Sequence, residues 1–426
     1  MFLMNSLFAA SGSLIHVFFQ PYSTSSNILI RLQDRYSEAD IEISDAVKES
    51  YLASAKLPNL NGLALIFSEI CAVERDRMYW GDPPEDTEFR LEVLQLLLAL
   101  YEKVPSRDRI RSLSIQNLQN HVPPEFVDSQ SFHSLLSKLS SLELYVISEA
   151  YEASPENSIW YSEVHEFAQD LPPTWFAPCS ATLTNLVLFA DHYIGFCPKI
   201  DLRNTHFPRL RTLALGNYTF SHDWQLDWLT SHGATLEEIY MDDCAILYAR
   251  RLAGDIDSEG YMQMGPVHEG SMEPLNQYED GKWGIRTAYE KRWHDYFDIF
   301  AEHLHALRVF RFGHGTWYHG RAFERYKTLD VALHDERYLT FDIGIGPSQF
   351  STEVLEHDDD DQKSEDDDRE IDLKTKKERS DPHAKPQCDK EDREALEGLL
   401  RKIGQQATFP DFEKSWVYYT KDNYED

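Results

Sequence analysis

The chain has 426 residues, 42% of them hydrophobic and 13% aromatic, which is enough for a folded core and excludes general disorder. Its 73 acidic and 41 basic residues leave a net charge of −32, which argues against direct nucleic-acid binding and favours a basic partner. Ten acidic and two basic residues fall between Asp358 and Asp372, so about −24 belongs to the rest of the chain.

Residues Met1 to Phe19 contain no Lys, Arg, Asp or Glu. Without a basic leading region, and with Ser and Asn interrupting the apolar run, the stretch reads as neither a secretory signal nor a membrane span. Ser13 to Gln20 is expected to be a degenerate strand, and residues 1–54 a degenerate N-terminal segment or capping repeat. A start inside a larger coding region would give the same abrupt beginning.

Seven triplets of the form L-x-x-L-x-L follow: Leu60-Leu63-Leu65, Ile110-Leu113-Ile115, Leu139-Leu142-Leu144, Leu183-Leu186-Leu188, Leu210-Leu213-Leu215, Leu236-Ile239-Met241 and Leu304-Leu307-Val309. Their middle residues are 50, 29, 44, 27, 26 and 68 residues apart. The short intervals fit a leucine-rich repeat, and the long ones fit repeats with insertions. Each triplet predicts a short strand with apolar residues inward and variable residues outward. Since one repeat cannot bury its own apolar face, the repeats must stack, and stacked strands offer a concave recognition surface.

The clearest unit runs from Phe207 to Met241. FPRLRTLALGNYTF supplies a strand with a turn at Gly216-Asn217, Ser221 is the expected helix cap, and Asp223 to Leu229 the helix, which Gly233 ends. Insertions are expected near 66–108, 146–180 and 246–303. Thr87 to Val104 predicts a helix, Glu152 to Pro178 an irregular loop, and the glycines at 254, 260, 265 and 270 a mobile loop. From Tyr289 a helix is expected with an aromatic face at Trp293, Phe297 and Phe300. The array then occupies 55–350, a charged disordered acidic linker 351–390, and a C-terminal helix and tail 391–426. Within that last part, Lys390 to Ile403 is expected to dock Leu396, Leu399, Leu400 and Ile403 on the open end of the array.

The fold class read from these patterns is α/β, an irregular leucine-rich-repeat solenoid with long insertions and a disordered acidic segment. YEKRWHDYFDIFAEHLHALRVFRFG (Tyr289 to Gly313), RYLTFDIGIGP (Arg337 to Pro347), LEEIYMDDC (Leu236 to Cys244) and the Ala395-Leu396…Leu399-Leu400 helix resemble the C-terminal half of fungal F-box/leucine-rich-repeat proteins. The resemblance covers about residues 55 to 350 plus the last helix. It implies a non-catalytic substrate receptor, in which an F-box holds a Skp-type adaptor and the repeats present a target to a cullin-based ubiquitin ligase. The chain departs from that family in having no Leu-Pro-x-Glu bundle before the first triplet. Val122-Pro123-Pro124-Glu125-Phe126 is its nearest counterpart, and it reads instead as a turn and the outer helix of a repeat.

No catalytic motif is present: there is no G-x-S-x-G, H-E-x-x-H or phosphate-cradling glycine loop, and no enzyme activity is expected. His303, His305, His314 and His319 form the densest histidine group, and they read as surface residues lacking a further ligand. Cys179, His192 and Cys197 match no metal knuckle. The five scattered cysteines read as small core residues of a protein in a reducing compartment, cytoplasmic or nuclear. No metal or cofactor is expected. The partner is expected on the concave face, at Tyr145, Phe189, Tyr240, Asp242, Arg308 and Phe310, residue types that carry interface hot spots. Insertions folding over that face would bury the same aromatics. The alternative function is an acidic repeat-based chaperone or scaffold for histones or other basic proteins, with no direct nucleic-acid or membrane contact.

Overall fold

The apolar triplets lie side by side on parallel strands in a computed structural model. The structure describes residues 43–57, 59–68, 70–72, 85–149, 162–252, 256–261, 285–315, 325–341 and 385–409, and the backbone of three strands within 5–33. The strands are β1 (Asn5–Phe8), β2 (Leu14–Tyr22), β3 (Ser25–Gln33), β4 (Leu60–Ile66), β5 (Ser112–Gln119), β6 (Ser141–Ile147), β7 (Asn185–Ile194), β8 (Thr212–Phe220), β9 (Glu238–Asp242), β10 (Ala245–Leu252), β11 (Ile285–Ala288), β12 (Val309–Gly313) and β13 (Tyr338–Phe341). They form one mostly parallel sheet that does not close into a barrel. The helices are α1 (Asp45–Ala53), α2 (Thr87–Lys103), α3 (Pro124–Val127), α4 (Gln130–Leu136), α5 (Ser162–Asp170), α6 (Asp223–Thr230), α7 (Trp293–His303) and α8 (Asp389–Lys402). The fold is therefore mixed α/β.

β1 to β3 form an antiparallel meander in place of a single degenerate strand, and β3 passes into the parallel series through β4. From β4 to β9 the register aligns triplet with triplet. Leu63 pairs Leu113, then Leu142, Leu186, Leu213 and Ile239 follow in one file, with Leu65, Ile115, Leu144, Leu188, Leu215 and Met241 in the next. All of these are buried and join one core with Val93, Leu97, Phe132, Trp175 and Leu229 from the helices. Alternation along each strand sends these files to the helical side and the intervening residues to the opposite face.

The seventh triplet is shifted by three residues. β12 pairs Phe310 with Ile239 and Phe312 with Met241, so the stacked triplet is Leu307-Phe310-Phe312. Leu304 instead closes α7 as its C-cap. Two phenylalanines take the leucine sites here because α7 brings Phe297 and Phe300 against them, and the four rings fill the same volume edge-to-face or tilted.

The sheet forks at β8. Thr212 to Gly216 pair with β9, whereas Thr219 and Phe220 pair with β10. Between them Asn217 has φ 53°, and its amide Nδ2 donates to the Ala190 carbonyl at 2.7 Å. The expected turn at Gly216-Asn217 is thus a kink inside one continuous strand, since a left-handed asparagine bends the chain without ending the pairing. Helix α6 is capped from His222 rather than Ser221, and Gln225 Oε1 accepts both of their backbone N–H groups.

The stretch expected as an irregular loop around 152–178 is helical where described. Val164, Ala168, Leu171 and Trp175 recur at helical spacing and are buried. Tryptophan and proline content obscured that period in the sequence. Residues 256–261, part of the expected mobile loop, are pinned: Lys199 reaches Asp257 at 3.3 Å, and Tyr261 stacks on His222 at 4.3 Å. The glycines at 254, 265 and 270 and the acidic linker over 351–384 lie outside the described residues. Helix α8 packs on α7 with Leu396, Leu399 and Leu400 buried, at the end of the parallel series.

Candidate partner-recognition face

Opposite the leucine files, the sheet presents three rows of variable side chains. One row runs Ser112, Ser141, Asn185, Thr212, Glu238, Val309; the next Ser114, Glu143, Val187, Ala214, Tyr240, Arg311; the third Gln116, Tyr145, Phe189, Gly216, Asp242, Gly313. Tyr145, Phe189, Tyr240 and Asp242 therefore occupy the outward positions expected of them. The aromatics are not open to solvent: Phe189 is 1% and Tyr240 5% exposed. Together with Tyr145, Val187, Ala214 and Tyr326 they form a second apolar cluster on this face. Tyr326, from the short turn Arg325–Thr328, packs edge-on to Tyr240 at 4.9 Å, and its hydroxyl donates to Asn185 Oδ1 at 3.4 Å. This turn of the chain itself covers the face at Tyr240 and Asn185, and burying the rings there is favourable.

Phe310 is a core residue with 0% exposure, not a surface contact. The three-residue shift of the last triplet turns it inward, so Val309 and Arg311 face outward. Arg308 is exposed but stands at the entry to β12, before the outward rows begin.

At the carboxyl ends of β9 and β12 the acidic pair Asp242-Asp243 meets the loop after β12. Gly315 N–H donates to Asp242 Oδ1 at 2.6 Å, and His314 Nδ1 lies 2.7 Å from Asp243 Oδ1. Burial, and then the charge of Asp243, hold the Asp242 carboxyl well above the usual carboxylate range. The hydrogen bond to Asp243 lifts the His314 imidazole to about 9, and burial lifts Glu336 nearby to about 7. His314 is thus a cation clamping its loop to β9. His303 lies away from this pair beside Glu302, and His319 is outside the described residues.

Among the described residues, His294, Cys388 and Asp392 form the one group of potential metal ligands close enough to share an ion. No sequence spacing signals it, because His294 lies on α7 and the other two at the start of α8. The buried Asp392 carboxylate already accepts from His294 N–H, from Arg337 Nε at 2.9 Å and from Tyr338 Oη. With Arg337 supplying the opposing charge, these contacts tie α8 to α7 and β13. Cys179 is buried against the Trp175 and Phe176 carbonyls, and His192 is held by Asp191 at 2.7 Å. All five cysteines are free and buried.

No protein-family model matches the chain, and no curated protein matches it. Among the described residues, no helix is long and apolar enough to cross a membrane.

Proposed function

We propose that this chain is a leucine-rich-repeat protein that recognises other proteins without catalysis, in the manner of the substrate-binding half of an F-box receptor for a cullin-based ubiquitin ligase. The observation that carries the reading is the unbroken register of the triplet files from β4 to β9, with helices behind and variable residues in front. Such a stack holds a wide set of side chains on a rigid support, which suits binding. Tyr326 and its turn then form part of the recognition surface or close it. Cytoplasm or nucleus is the compartment this function requires.

The second reading is an acidic scaffold for histones or other basic proteins, favoured by the net charge of −32. Tagged purification from cells that express the protein, at low and moderate salt, separates the two by mass spectrometry. Recovery of a Skp-type adaptor with a cullin is the expected result. Histones released by salt, with no adaptor or cullin, would overturn the ligase reading in favour of the scaffold.

A further inference from the structure

The strands enter the sheet through a file of residues that the backbone fixes in order. The carbonyl of Arg111 accepts from the N–H groups of Ser140 and Ser141, that of Ser140 from Thr184 and Asn185, and that of Thr184 from Arg211 and Thr212. Arg211 in turn accepts from Glu237 and Glu238, and Glu237 from Arg308 and Val309. Arg111, Ser140, Thr184, Arg211, Glu237 and Arg308 are thus neighbours along one edge, although they are spread over almost two hundred residues of sequence. The positions two residues earlier add Arg109, Lys138 and Arg209, of which both arginines are exposed.

Charge on this edge runs against the rest of the molecule. Among the described residues, six cations, Arg109, Arg111, Lys138, Arg209, Arg211 and Arg308, stand along it with three carboxylates: Asp108, 3.0 Å from Lys138, Glu237, 3.7 Å from Arg211, and Glu238 at the first position of β9. In a chain with 73 acidic and 41 basic residues, such a concentration departs from composition. Arg111 is also held in place, donating from Nη1 to the Lys138 carbonyl at 2.8 Å.

We propose that this strand-entry edge binds an acidic peptide segment of another protein. Neighbouring strands lie about 4.8 Å apart, so Arg111 and Arg211 are separated by ~14 Å and Arg211 and Arg308 by ~10 Å. An extended peptide rises about 3.4 Å per residue with alternate side chains on one face, so carboxylates at i and i+4 match the span from Arg111 to Arg211, and one at i+6 or i+8 comes within side-chain reach of Arg308. At the intervening positions Ser140 and Thr184 carry no charge; their hydroxyls donate to the Arg111 and Ser140 carbonyls and keep lone pairs for the N–H groups of a peptide, while Glu237, between Arg211 and Arg308, is paired with Arg211. A long polyanion such as nucleic acid would extend past this edge into the field of a molecule at −32, whereas a short acidic segment ends within it. The inference needs only the strand order, and it stands whether or not the protein serves a ligase.

The test is fluorescence anisotropy with a short fluorescein-labelled Asp/Ser peptide, its Asn/Ser counterpart and a single-stranded oligonucleotide. It uses the full chain and a variant with all ten acidic residues between Asp358 and Asp372 changed to Asn or Gln, which takes that run out of any competition with the peptide. Binding of the acidic peptide by at least one of the two proteins, weakened by salt and at least tenfold by Arg111→Glu/Arg211→Glu but not by Arg401→Glu on α8, is the expected result. No preference for the acidic over the Asn/Ser peptide in either protein would overturn the proposal. So would equal binding by the double charge reversal, or tighter binding of the oligonucleotide.

Discussion

The side-chain amide of Gln405 completes both backbone hydrogen bonds of Phe310: Oε1 accepts from the Phe310 N–H at 3.0 Å, and Nε2 donates to its carbonyl at 2.9 Å. β12 is the last strand of the parallel series and pairs only with β9 among the described residues. One glutamine therefore does for Phe310 what a further strand would, and an exposed edge is withdrawn from pairing with other chains. The residue arrives there because Gly404, at φ 77°, ends α8 and turns the chain back.

Gln405→Ala should cost about 1–3 kcal/mol, since it leaves two part-buried backbone groups without a partner. Hydrogen exchange at the Phe310 amide should accelerate by more than the global loss of stability explains. Unchanged exchange there would show that α8 does not close the edge.

The register of the last triplet makes opposite predictions for neighbouring residues. Phe310→Ala should cost about 3–5 kcal/mol and Leu213→Ala about 2–5 kcal/mol, as buried truncations. Val309→Ala, on the outward face, should cost well under half the loss at Phe310. Chemical denaturation of the three variants decides it, and a larger loss at Val309 than at Phe310 would restore the unshifted register.

Six of the seven triplets were legible because leucine spacing is a direct imprint of strand alternation. The seventh was misplaced because three registers of apolar residues overlap in HLHALRVFRFG, and the deciding partners, Phe297 and Phe300, come from another element. For the same reason, outward Tyr145, Phe189 and Tyr240 were identified while their cover was not: Tyr326 lies 86 residues beyond Tyr240, and no local pattern ties them. The basic edge escaped notice because its arginines are neighbours only after pairing. Asp392, too, acquires its partners entirely through tertiary contacts.

Gly216 supports the covered face through its lack of a side chain. A Cβ there would lie 2.0 Å from Phe189 Cδ1, inside the ring that stacks on Tyr145 at 5.3 Å. Gly216→Ala should therefore displace Phe189 and cost about 1–3 kcal/mol by overpacking. Adding Phe189→Leu should recover part of that loss if the ring is the obstacle. A double mutant with fully additive losses would place the strain elsewhere.

Acid stability should depend on His232, which is held neutral. Its Nδ1 lies 2.8 Å from the Trp228 carbonyl, and Nε2 accepts from the Phe207 N–H at 3.2 Å, an arrangement that uses one proton only. Burial pushes its pKa down to about 4, from 6.5 in the unfolded chain. Between those values the unfolded chain binds a proton that the folded one does not, so this ring's contribution is full above pH 6.5 and falls as the pH drops toward 4. Glu336 works the other way, because a carboxyl raised to about 7 favours the folded state at low pH and loses that advantage as pH rises from about 4.5. The total curve mixes both signs, and the informative quantity is the difference between wild type and His232→Gln. That difference should grow with pH across the window, at up to about 1.4 kcal/mol per pH unit. A difference independent of pH from 4 to 7 would mean that His232 titrates normally in the folded protein and is not locked between Trp228 and Phe207.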